Sequence, residues 1–255
     1  MAATPAWPPK SAPRLFVEDE LGAGNSISIE GQQAHYLGKV MRVQPGDTII
    51  LCDNLTGEWA ARIEQVEKRR ISAVQIEKLR DRETPPDFWL CPALLKKDRF
   101  DWVLEKATEL GVAELRPMVT RRCVADKLNL DRARTIAVEA AEQCARTALP
   151  ELHTPFSLKD LLRNWPADRV LYFADEEGGA EALASFAANA GPAAIVIGPE
   201  GGFDDAEREE IRGHPQAMPI SLGPRILRGE TAAVAAVSIW MASAGDWSNK
   251  EPRQE

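Results

Sequence analysis

The sequence predicts an α/β protein with a small β-barrel at residues 1–80 and a larger α/β domain at 88–247. Three observations carry this. Residues 14–79 alternate apolar and polar positions in short runs separated by turn residues, a period-two pattern. From Phe88 onward apolar runs alternate with amphipathic segments, the rhythm of a mainly parallel sheet flanked by helices. Between the two lies Arg80-Asp-Arg-Glu-Thr-Pro-Pro-Asp87, charged and broken by prolines, as a domain boundary requires.

Taken in order, residues 1–12 are rich in Pro and Ala and predict poor order. Asp47–Cys52, Glu58–Ile63 and Ile71–Ile76 read as strands, separated by Pro45-Gly46, Asp53-Asn54 and Lys68–Arg70. A short helix fits Gly31–Val40. In the second domain Phe88–Leu95 is an apolar strand. Asp98 opens a helix whose Phe100, Val103, Leu104, Ala107 and Leu110 keep helical spacing until Gly111. Glu114–Val119 reads as a strand and Asn129–Thr147 as a long helix. Val170–Phe173 and Ala193–Ile197 are strands flanking a helix near Ala180–Ala188. Asp204 caps a helix ending by Gly213, and Ala217–Leu222 is the last strand.

Two loops carry the chemistry. Ile195-Val-Ile-Gly-Pro-Glu-Gly-Gly-Phe203 and Ile220-Ser-Leu-Gly-Pro-Arg-Ile-Leu-Arg-Gly-Glu-Thr-Ala-Ala233 each follow a buried strand and lead into a helix. Gly198, Gly201, Gly202 and Gly223 remove side chains where a backbone approaches a ligand, and Pro199 and Pro224 stiffen the turns. Such loops at the C-terminal ends of neighbouring strands describe a crevice for a small molecule. Neither loop matches the dinucleotide fingerprint or the phosphate-cradling P-loop. Glu200, Arg225, Arg228, Glu230 and Thr231 are the polar groups beside the crevice. Ordinary ion pairing for Arg228 and a helix-dipole role for Glu230 stand as the alternatives to a role in the site.

Composition excludes several classes. The longest apolar stretch, Ala232–Ala244, is too short to span a bilayer, and the N-terminus has no apolar core of a secretory signal. Cys52, Cys91, Cys123 and Cys144 are scattered, as are His35, His153 and His214, so the reading has no disulfide, no metal and a reducing, cytoplasmic compartment. The net charge is −8, with 11 Lys/Arg against 12 Asp/Glu in residues 1–86 and 20 against 27 beyond. That balance argues against nucleic acid. Local clusters at Lys68–Arg70, Lys96–Lys97 with Arg99, and Arg121–Arg122 keep a short basic track open.

Gly198-Pro-Glu-Gly-Gly-Phe-Asp-Asp-Ala-Glu207 followed by Ser221–Ala233 resembles the signature of the RsmE-type rRNA uridine-N3 methyltransferases of the SPOUT superfamily. Residues 93–124, 138–147, 14–18 and 35–47 resemble other parts of the same family, so the likeness runs from about Arg14 to Trp240. The resemblance implies a PUA-like RNA-binding barrel followed by a trefoil-knotted SPOUT domain. It implies S-adenosyl-L-methionine as cofactor, N3 of one uridine in the 16S rRNA of the small ribosomal subunit as target, and a homodimer. Gly198, Pro199, Glu200, Gly201, Gly202, Leu222, Gly223, Ile226, Leu227 and Thr231 are expected to hold the cofactor. Arg228 is expected to stabilise charge and Glu230 to take the proton. Arg14, His35, Lys39, Arg42, Arg121 and Arg122 are expected to contact RNA. His35, Lys39 and Arg42 share a face if their segment is an α-helix. The family often has Thr where this chain has Gly229, and Gly where it has Ala145. Two other readings stay open: a non-catalytic RNA-binding protein of the same fold, and an enzyme for an anionic metabolite gripped by Arg225 and Arg228.

Overall fold

The computed structural model describes residues 7–9, 11–189 and 191–248; most of the Pro/Ala-rich leader expected to be poorly ordered (1–6 and 10) lies outside them. The chain divides into two units. One is Met1–Thr84 with Ala141–Leu149, the other Pro85–Ala140 with Pro150–Glu255.

The first unit contains β1 (Arg14–Phe16), β2 (Ser26–Glu30), α1 (Gly31–His35), a π-helical turn (Tyr36–Met41), β3 (Thr48–Cys52), β4 (Gly57–Val66) and β5 (Arg70–Asp81). Its sheet runs β1-β3-β4-β5-β2. β1 lies parallel to β3 and every other pairing is antiparallel. β1 and β2 are its two edges, so the hydrogen-bonded ladder is open, not a closed barrel, among the described residues. Register shifts at Glu58/Trp59, Ala60/Ala61 and Ile63/Gln65 bend β4 against β5. The inner face buries Leu15, Leu37, Ile49, Leu51, Ile63 and Ile71 in one core.

The helix expected over Gly31–Val40 changes pitch at Tyr36. A wider turn breaks the α-helical spacing of His35, Lys39 and Arg42, and Arg42 ends the turn in the left-handed region at φ 55°. All three side chains remain exposed.

Residues 141–149 join this unit through specific bonds. The Phe16 N–H donates to the Glu142 carboxylate at 2.8 Å, Arg80 Nη2 to the Ala145 carbonyl at 2.8 Å, and the Leu149 N–H to Asn54 Oδ1 at 2.8 Å. Ala145 stands at φ 63°, and the Arg146 N–H closes on the Ala141 carbonyl at 3.0 Å. This is the helix-ending motif in which glycine is favoured. The departure at Ala145 therefore places a side chain in a left-handed position.

The second unit is built on β6 (Phe88–Pro92), β7 (Glu114–Leu115), β9 (Glu151–Leu152), β11 (Val170–Ala174), β12 (Ala180–Glu181), β13 (Ala193–Ile197) and β14 (Ala217–Ser221). The order is β12-β14-β11-β13-β6-β7-β9, and every pairing is parallel. Arg116-Pro117 splits the strand expected over Glu114–Val119, so β8 (Met118–Val119) leaves to pair with β10 (Phe156–Ser157) in a separate ladder. The central strands are buried on both faces, as a parallel sheet demands. On one face α2 (Lys97–Glu109), α5 (Ala182–Ala187) and α7 (Gly229–Ser243) cover Phe88 and Tyr172, with Trp240 stacked on Phe88 at 4.2 Å. On the other, α4 (Leu158–Arg163) and α6 (Asp205–Arg212) bury Leu161 and Ile211 with Trp89 and Phe173. The small side chains of α3 (Leu130–Cys144) and α7 pack within the chain: Ala133, Ala137, Ala233 and Ala236 are buried.

Candidate active site

Three neighbouring strands, β14, β11 and β13, end at the same side of the sheet and release the loops 175–179, 198–204 and 222–228. Between these loops lies a cavity of about 250 Å³. Gly198, Pro199, Gly202, Leu222, Gly223, Ile226 and Leu227 line it. Glu200, Gly201 and Thr231 do not: Glu200 turns to Arg99 Nη1 at 3.4 Å and the Lys96 N–H at 3.4 Å, and the Gly201 carbonyl accepts from Arg122 Nη1 at 3.0 Å. Thr231 is exposed on the first turn of α7.

Close approach explains two glycines. A Cβ on Gly198 would stand 2.9 Å from the Phe203 ring, and one on Gly229 would stand 3.1 Å from the Gly198 carbonyl oxygen and 3.0 Å from Leu95 Cδ2. The start of α7 thus rests on the first loop, and Gly229 fills a place where Thr would have to push its neighbours aside. Gly223 is different: its φ of +112° demands glycine although its Cβ position faces open space.

The third wall escaped the sequence reading. Asp175, at the end of β11, has a fully buried side chain held by Arg212 Nη2 at 2.5 Å and Arg208 Nε at 3.4 Å. Arg208 also pairs with Glu176 at 3.1 Å and with Glu177. Arg208 and Arg212 stand one turn apart on α6, which explains how one helix clamps the whole acidic loop. Asp175, Glu176, Arg208 and Arg225 all line the cavity. The signal was present in the sequence as Asp175-Glu-Glu177 immediately after an apolar run.

The cap expected from Asp204 is formed, and Glu207 completes it as a capping box; the Glu207 N–H followed by Arg121 holds the Asp204 carboxyl below its ordinary value. Arg121 Nη1 lies 2.8 Å from Asp204, and Arg122 donates to the Gly201 and Phe203 carbonyls. Both arginines therefore buttress the first loop. Arg14 is likewise engaged: with Arg80 it neutralises Glu58, whose side chain is only 5 % exposed. The cations that have no ion pair or side-chain hydrogen bond among the described residues include Lys39, Arg42, Arg225 and Arg228, all exposed.

Arg228 and Glu230 flank Gly229, which lines the cavity. Arg228 is the N-terminal flanking residue of α7 and its carbonyl accepts the Ala232 N–H at 2.8 Å. Glu230 Oε1 lies 3.8 Å from Arg99 Nε, while Oε2 is buried with no hydrogen-bond partner. Among the described residues one cluster, Glu114, Glu151 and His153, is close enough to hold a cation. It lies at the far sheet edge, and Arg116 Nε at 2.8 Å and His153 Nε2 at 3.0 Å already donate to Glu114.

With this geometry in place, comparison with known proteins is decisive. The RNA methyltransferase domain family matches residues 82–241, and the RNA methyltransferase PUA domain family matches residues 29–76. Ribosomal RNA small subunit methyltransferase E of Bacillus subtilis is 32% identical over 242 residues, covering 88% of this chain and 94% of that one. The chain belongs to the ribosomal RNA small subunit methyltransferase E family. Two solved structures reinforce the assignment. A methyltransferase from Legionella pneumophila with bound SAM is 30% identical at a TM-score of 0.83, covering 92% of this chain and 99% of that one. The small subunit methyltransferase E of Neisseria gonorrhoeae bound to S-adenosyl methionine is 28% identical at a TM-score of 0.84, with the same coverage. In the methyltransferase E fold the mixed α/β unit therefore carries the cavity, and the PUA match falls on the first unit. No helix among the described residues is long and apolar enough to cross a membrane.

Proposed function

We propose that this protein transfers a methyl group from S-adenosyl-L-methionine to N3 of one uridine in the 16S rRNA of the small ribosomal subunit. The observation that carries the reading is the three-loop cavity with an unpaired arginine and a carboxylate oxygen lacking a partner at its rim. The cavity suits the cofactor. Ile197, Leu222, Ile226 and Leu227 offer apolar surface for an aromatic base and a thioether chain, and the glycine loops offer backbone groups at close range. The charges of Asp175 and Glu176 are met by α6, so the lining has little net demand of its own. Gly198, Gly202, Leu222, Gly223 and Leu227 would hold the cofactor. Bound there, S-adenosyl-L-methionine supplies an electrophilic sulfonium methyl group.

The chain's own groups handle the target base. Uracil N3 must lose its proton to become nucleophilic. Glu230 Oε2 is an acceptor with an open valence, suited to receive that proton. Arg228 supplies a fixed positive charge where a uracil carbonyl oxygen becomes negative. The RNA contacts fall to exposed groups without an ion pair among the described residues: Lys39 and Arg42 of the first unit with the His35 ring, and Arg225 and Arg228 of the second. The fold is the trefoil-knotted SPOUT arrangement, in keeping with a C-terminal helix whose first turn lies against loop 198–204. The protein works as a homodimer in the cytoplasm, where its rRNA substrate resides.

Incubation of unmethylated 30S subunits with the protein and S-adenosyl-L-methionine, followed by nuclease digestion and mass spectrometry, tests the reading. One 3-methyluridine per 16S rRNA is expected. Methylation of another base, or none with intact affinity for S-adenosylhomocysteine, overturns it.

A further inference from the structure

We infer that Arg99 is a positioning residue that ties the first cavity loop to the first turn of α7 and sets the place of the Glu230 carboxylate. The inference rests on the methyl-transfer reading above and adds to it a group outside both loops. Arg99 lies in the first turn of α2. Its Nη1 is 3.4 Å from Glu200 Oε1 and its Nε is 3.8 Å from Glu230 Oε1. One guanidinium thus faces a carboxylate from the first loop and another from the first turn of α7. The Lys96 N–H, at the same helix start, adds a second donor to Glu200 at 3.4 Å. The planar guanidinium can serve two acceptors along separate edges, which an ammonium on a flexible stem does poorly.

The charge count makes the network specific. Two carboxylates share one cation, and Glu200 also takes the backbone donor. Glu230 is the under-served member: its Oε2 is buried without a partner. A buried carboxylate oxygen lacking a donor is costly, and a substrate N–H is the donor that would complete it. Arg99 faces the other oxygen at 3.8 Å, so Oε2 is the one left without a partner. Arg99 itself does not line the cavity, so it acts through Glu230 and not on the cofactor.

A double-mutant cycle tests this, using the full chain, 30S subunits and single-turnover methylation. Arg99→Ala is expected to slow methyl transfer on the order of 10-fold or more, since small misplacement of a reacting group is costly. S-adenosylhomocysteine affinity is expected to change less than 3-fold. Arg99→Lys is expected to recover the melting temperature but not the rate. In a Glu230→Gln background, Arg99→Ala is expected to cost less than 2-fold further, because the group it positions is gone. An equal cost in both backgrounds, a wild-type rate in Arg99→Ala, or full rescue by Lys overturns the inference while leaving methyl transfer by the wild-type protein intact. A wild-type protein that does not methylate overturns the functional reading, and the inference with it.

Discussion

Arg228→Ala isolates one charge without disturbing the fold. The side chain is exposed and makes no ion pair or side-chain hydrogen bond among the described residues, so truncation removes no folding contact. Stability should stay within about 0.5 kcal/mol of wild type. Because Arg228 does not line the cavity, cofactor affinity should also hold. The effect on rate depends on how wet the site is during reaction. At 4 Å, a charge beside a developing oxyanion is worth about 1 kcal/mol in bulk water and about 4 kcal/mol at an effective dielectric of about 20. These correspond to about 5-fold and about 10³-fold in rate. A bound RNA strand covers the exposed rim, so a loss on the order of 10² is expected, the size found when a strong charge stabiliser is removed. Raising the pH should narrow the gap, because uracil that has already lost its proton needs less help. The assay is single-turnover methylation of 30S subunits against pH, with calorimetric titration of S-adenosylhomocysteine. A loss below about 5-fold would mean that Arg228 stays in water throughout. A loss that follows cofactor affinity alone would refute the electrostatic argument.

Three further outcomes follow from particular residues. Gly223→Val forces a β-branched residue to φ +112° where a Cβ meets open space, so the cost is backbone strain of about 1–3 kcal/mol in the loop, read as roughly 5-fold to 10²-fold weaker S-adenosylhomocysteine binding by calorimetry. Ala145→Gly relieves a left-handed residue worth about 1–2 kcal/mol, less about 0.4–1 kcal/mol for the freer unfolded chain, so urea denaturation should show a modest gain in stability. Burial pushes the Asp53 carboxyl up, but the Leu21 N–H, the Thr56 hydroxyl and the Leu55 and Thr56 N–H groups outweigh it and hold it below its ordinary value of 3.8. A depressed folded value contributes stability above the unfolded value and loses it as pH falls through the folded one, so stability should fall below about pH 4. Asp53→Asn should flatten that slope in acid-unfolding experiments, and an unchanged slope would assign the acid sensitivity elsewhere.

Local pattern was enough for the elements whose signal is local. The strand Ala193–Ile197 has the expected bounds because a short run of β-branched and small apolar residues suits a strand buried on both faces. The cap at Asp204 was legible because a helix start is marked by its own residue type, although its reciprocal partner Glu207 was not read. The Gly/Pro loops were legible as a crevice because glycine and proline report backbone demands wherever they stand. The π-turn at Tyr36–Met41 was not, since nothing in the residue types there excludes an α-helix. The strand expected over Glu114–Val119 was cut by Arg116-Pro117, whose effect depends on which neighbour each half can pair with.

What the sequence by itself determined, then, is the change from strand-rich to alternating rhythm, the glycine loops and the family signature. All of these are properties of residues close together in the chain or repeated among relatives. Only the tertiary structure decided which charges are free. Arg14, Arg121 and Arg122 read as available cations, yet each is held by partners at least 44 positions away in sequence: Glu58, Asp204 and the loop carbonyls. Arg228 reads the same and is unpaired among the described residues. The difference lies in which carboxylate or carbonyl the fold brings within hydrogen-bond range, and Coulomb energy and desolvation depend on distance in space, not along the chain.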